Sequence, residues 1–164
     1  MDNTVLTAII ASVSALAGVT LSQVSAMIQE HISRAHQKKK LLREKYEQLA
    51  EHLTDGQVWL TELLQSESLS QASLRTPIHA RKVATLSAIY FPLLLEDAHN
   101  YLNACANLHS VILENHQFVA GITAGAQAVH KNRHAVEHAS DKFQQTRQAL
   151  DEKIIKYAHQ YTNA

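Results

Sequence analysis

The chain holds 11 histidines, and three of them, His130, His134 and His138, recur at intervals of four residues. On an α-helix that spacing places side chains on one face, and two histidines at i and i+4 can both reach a zinc ion. Glu137, Asp141 or the distant His109 or His116 would have to complete a tetrahedral set, and none stands at a confirmed ligand spacing. The three histidines therefore read as a solvated helix face, and no metal is assigned. The same stretch offers metal-free chemistry. In Arg133-His134-Ala135-Val136-Glu137-His138 an arginine and a histidine stand five apart, with the polar His134 directly after the arginine. An arginine can stabilise charge on a phosphate while a histidine moves a proton, which is phosphoryl transfer without a cation. With six arginines and 11 histidines in 164 residues, an Arg-x(4–6)-His spacing arises about once by chance. The weight therefore falls on the elements around it.

Those elements are helical. Four glycines and two prolines interrupt the chain, Ala, Leu, Gln, Glu, Lys and His dominate it, and no long stretch alternates polar with apolar residues as a strand would. One helix is expected to run from the N-terminus through Leu41, Leu42, Tyr46, Leu49 and Leu53 to a stop at Thr54-Asp55-Gly56. A short helix follows over Val58 to Leu64, and the serine-rich Ser66 to Ser73 reads as a loop. Thr76-Pro77 supplies the start of a helix reaching about His116 and kinked at Pro92. Asn132 is the expected cap of a last helix beginning at Arg133. Over the final region, Phe118 to Tyr161, Val129, Val136, Phe143, Leu150, Ile154 and Tyr157 mark a packing stripe.

The N-terminal segment has a different character. From Asn3 to Gln29 it carries no charge, and from Arg34 to Lys45 it carries six basic residues against one acid. The apolar run Val5 to Met27 would measure roughly 35 Å as a helix, enough for a hydrocarbon core of about 30 Å. Only four residues precede it, so it reads as an uncleaved span rather than a signal peptide. Positive charge is retained on the cytoplasmic side, which puts the N-terminus outside and the remainder inside. The one cysteine, Cys105, suits a reducing compartment and rules out an internal disulfide. Around the span, Thr7, Ala11, Ser14, Gly18, Ser22 and Ser25 share a face of small and hydroxyl side chains, opposite Val5, Leu6, Ile9, Val13 and Leu16. Such segregation serves close helix packing or a wet lumen, so these six residues are expected to pack helices together or to line a pore.

A late Arg-His-x-x-x-His motif in an all-helical domain resembles the R-[N/H/D]-x-x-x-H signature of HEPN domains, helical bundles found in many RNases and defence proteins. With the N-terminal span included, the whole architecture looks like the small membrane accessory protein of RNA-targeting, type VI CRISPR systems. The resemblance implies an all-α chain with a transmembrane helix at residues 4–28 and a cytoplasmic HEPN-like bundle at 29–164. It implies Arg133 and His138 as catalytic residues, supported by His134, in a site composed from two protomers, with no cofactor. The implied partners are further copies of the chain, membrane lipid, and an RNA-guided CRISPR effector or RNA. The implied role is a homo-oligomeric pore in the bacterial inner membrane that strengthens antiphage defence. Two other roles fit the same residues, a membrane-tethered HEPN ribonuclease or toxin and a non-catalytic membrane adaptor. Balanced charge, 15 basic against 15 acidic residues, argues mildly against a broad RNA-binding face.

Overall fold

A computed structural model describes residues 3–118, 128–130 and 132–162, with Gly18 and the side chains of residues 20–115 and 132–161 among them. Helix α1 runs Asn3–Leu64, α2 Leu69–Leu74, α3 Ile78–Tyr90, α4 Leu95–Asn115 and α5 Arg133–Thr162. Pro92–Leu94 forms a 3-10 turn between α3 and α4. The fold is all-α apart from one short ladder. Strand β1, His116–Phe118, pairs antiparallel with β2, Ala128–His130, in the register His116↔His130, Gln117↔Val129 and Phe118↔Ala128.

The chain divides into two compact units, Met1–Leu41 and Leu42–Ala164. In the first, the α1 helix exposes its large apolar side chains: Leu21 and Met27 are 73% and 72% exposed, and Val24, Ile28 and Ile32 about half. Among the described residues no helix is long and apolar enough to cross a membrane. Most side chains of the Val5 to Met27 run lie outside those residues.

In the second unit the helices pack through seams spaced three and four residues apart, the repeat that keeps one stripe facing its neighbours. On α1 the seam is Tyr46, Leu49, Leu53, Gly56, Leu60 and Leu63; on α4 it is Ala98, Tyr101, Cys105, Leu108 and Ile112. Helix α5 contributes Val136, Ala139, Phe143, Leu150 and Ile154, all buried. Each large apolar side chain buried in this way contributes about 1.5–3 kcal/mol. Two buried polar bonds fix the seams laterally: the Tyr46 hydroxyl donates to the Ile154 carbonyl, and Trp59 Nε1 donates to the Arg75 carbonyl at 2.6 Å.

Three sequence expectations change. Helix α1 does not stop at Asp55-Gly56 but continues to Leu64 and absorbs the short helix expected at Val58 to Leu64. Gly56 stands on the packing seam, where it admits a neighbour rather than ending a helix. The Ser66 to Ser73 stretch contains α2, because Ser68 caps it by accepting a hydrogen bond from the Gln71 amide. Finally, the long helix across Pro92 is broken rather than bent. Phe91 adopts φ −133°, ψ 65°, since a residue before proline is pushed out of the helical region.

Candidate functional site

Helix α5 begins where Asn132 predicts. Its Oδ1 accepts the Ala135 amide at 3.2 Å, satisfying a donor that the first turn would otherwise leave unpaired. Arg133, the first helical residue, donates from Nε to Glu137 Oε1 at 2.7 Å. The other Glu137 oxygen lies 3.7 Å from His134 Nδ1. One carboxylate thus engages both of the first two candidate residues. The arrangement is a surface one, with the Arg133 and His134 side chains 87% and 99% exposed. An exposed pair of this kind contributes about 0.2–1 kcal/mol.

His138 is also exposed, and it makes no hydrogen bond or ion pair among the described residues. Five residues of helix separate it from Arg133, so the two side chains leave the axis about 140° apart. Val136 and Ala139, on the opposite side of the helix, face the core. A single α5 therefore does not aim Arg133 and His138 at one point.

The face of three histidines is not formed. His130 belongs to β2, before the break that precedes α5, while His134 and His138 stand on the helix. No group of three His, Cys, Asp or Glu able to hold a metal ion occurs among the described residues. In α1, Gly18, Ser22 and Ser25 are exposed, and a Cβ on Gly18 would meet nothing within 4 Å. The side chains of Thr7, Ala11 and Ser14 lie outside the described residues.

The second unit buries a polar cluster that the motif search does not reveal. Cys105 Sγ lies 3.8 Å from His79 Nε2, and the His79 ring stands 5.9 Å from that of Tyr101 and 5.1 Å from that of Trp59. The Tyr101 hydroxyl points at Gly56 and meets the Cys105 thiol, while Arg147 Nε is buried without a hydrogen bond among the described residues. A thiol beside an imidazole is the pairing of cysteine nucleophiles, but activation needs the charged pair. Here burial acts the other way. It pushes the Cys105 thiol up to about 12 and, against an opposing pull from Asp55, lowers His79 to about 4. Both groups are neutral at pH 7, and the cluster serves packing rather than nucleophilic catalysis. Its one sequence signal is Gly56 on a three-four seam, a position that otherwise carries bulk.

Compared with known proteins, the chain matches no family profile, no curated protein and no solved structure.

Proposed function

We propose that the chain is a homo-oligomeric pore or permeabilising protein of the bacterial inner membrane, acting as an accessory to RNA-targeting CRISPR defence. In this reading its first helical stretch stands in lipid and its helical bundle lies in the cytoplasm. The observation that carries the reading is Gly18. Glycine inside a helix costs about 1 kcal/mol relative to alanine, and among the described residues nothing approaches Gly18 closely enough to require it. Close approach by a second copy supplies the reason, as small residues do in membrane helix pairs. The exposed Leu21, Val24, Met27 and Ile28 supply apolar surface for lipid or for that second copy. The basic residues from Arg34 to Lys45 meet the anionic inner leaflet.

The test is Gly18→Leu in cells expressing the protein with an active RNA-guided effector. Depolarisation is lost while the variant remains in the membrane fraction. Full depolarisation by a membrane-inserted Gly18→Leu protein overturns the reading.

Exposed Arg133 and His138 at the head of α5 favour a second reading, a membrane-tethered HEPN ribonuclease assembled across two copies. Cleavage of RNA by the full chain, abolished in both Arg133→Ala and His138→Ala, supports it. Complete inactivity at high protein concentration removes it and leaves the pore or a non-catalytic adaptor.

A further inference from the structure

A trough of about 410 Å³ follows the seam between α4 and α5 and is lined by Asn100, Asn103, Ala104, Asn107, Lys142 and Thr146. A hollow of about 180 Å³ continues it, sharing Asn100, Lys142 and Thr146 and adding Asp97, Gln145 and Ala149. Each wall follows the helical repeat. Asn100, Asn103 and Asn107 stand at i, i+3 and i+7 of α4, within an arc of about 60°. Lys142, Gln145, Thr146 and Ala149 stand at i, i+3, i+4 and i+7 of α5.

Among the described residues, neither the three asparagine carboxamides, nor Gln145, nor the Lys142 ammonium is engaged by another side chain. Asp97, at one end, is already neutralised by Lys153. The trough therefore presents one uncancelled positive charge and a row of free amides. The Thr146 hydroxyl is turned into its own helix, donating to the carbonyls of Lys142 and Phe143 at 3.0 Å.

A carboxamide holds a donor and an acceptor side by side, the complement of the N–H and C=O of an extended main chain. Asn103 and Asn107 are separated by a rise of about 6 Å along α4, near the roughly 6.7 Å between alternate residues of a strand. No aromatic ring lines the trough, so bases and sugar rings find no stacking platform. A single cation is a poor match for a run of phosphates but suits one carboxylate. We propose that the α4–α5 trough binds an extended acidic polypeptide segment of a partner protein, with Asn100, Asn103 and Asn107 reading its main chain and Lys142 holding one carboxylate. This site goes beyond the pore reading and does not depend on it.

Full-length protein in detergent micelles, panned against a randomised nonapeptide library, tests the assignment. Enriched peptides carry Asp or Glu at one fixed position. Asn103→Ala weakens their binding about tenfold, and Lys142→Ala does the same while erasing the preference for the acid. Alanine is the better helix former at these exposed positions, so the melting midpoint holds or rises and a loss of binding is not unfolding. Asn107→Asp, which keeps the shape and adds a charge like the ligand's, also loses affinity. No enrichment, or peptides that bind Asn103→Ala and Lys142→Ala as well as the native chain, overturns the proposal. So does a single-stranded oligoribonucleotide whose binding depends on the same two residues, which would give the trough to RNA. Either failure leaves the Gly18→Leu depolarisation result untouched.

Discussion

The Tyr101 hydroxyl occupies the space where a side chain on residue 56 would begin: a Cβ built on Gly56 would lie 2.1 Å from that oxygen and 3.3 Å from His79 Nε2. Helix α1 is thus admitted against α4 by the absence of one methyl group. Gly56→Ala gains about 1 kcal/mol of helix propensity but forces a fully buried tyrosine to move, at a cost of about 1–3 kcal/mol. A net loss of up to about 2 kcal/mol is expected in denaturant unfolding. Gly56→Ala combined with Tyr101→Phe recovers most of it, because the second change removes the clashing oxygen. A Gly56→Ala protein as stable as the native one would show that this contact does not limit the packing.

His79 makes stability depend on acidity in a defined window. Its folded-state value of about 4 lies below the usual 6.5 or so of an unfolded chain, so between those values the unfolded state binds the extra proton. Stability is full above about pH 6.5 and falls as the pH drops toward 4, by up to roughly 3 kcal/mol. His79→Gln, which cannot take up the proton, flattens that slope. Unfolding free energies of the two proteins at several values from pH 4 to 7 check the prediction, and equal slopes would refute it.

Cys105 is 0% exposed and its thiol is pushed up to about 12. A thiol reagent at pH 7.5 should leave the native chain unmodified and label it at once in denaturant. Labelling in intermediate denaturant should track the opening of the bundle. Rapid native-state modification would contradict the neutral, sealed cluster.

Asn132 is expected to hold the first turn of α5 and hence Arg133 and His134. Asn132→Ala removes the acceptor for the Ala135 amide and should cost about 1 kcal/mol. Amide hydrogen exchange should accelerate over residues 133–137 while the rest of α5 is unchanged. Asn132→Asp restores the cap and the protection.

Signals that act within a few residues were legible in the sequence. Asn132 as a cap, the Phe143-Leu150-Ile154 stripe and the interruption at Pro92 each follow from local hydrogen bonding or helical period. Gly56 was misread because Asp-Gly is a stop signal locally, whereas its role depends on Tyr101, 45 residues further on. The α2 helix was hidden by serines that favour loops yet include its own cap, Ser68. The sequence shows Tyr101 and Cys105 four apart on one helix face, but no spacing joins them to His79, which α3 brings against α4. Around the candidate residues, the sequence places the start of α5 at Arg133, where the structure has it. It could not show that Glu137 ties down Arg133, or that the helix turns Arg133 and His138 apart.

Trp59 is the chain's one tryptophan, and its indole lies 5.1 Å from the His79 ring and 6.5 Å from that of His109. Protonated imidazole quenches indole emission, so acid uptake by the interior dims this fluorophore before any helix is lost, whereas solvent entry reddens it. One cuvette measurement thereby separates two events that circular dichroism would merge, with no label added to the protein.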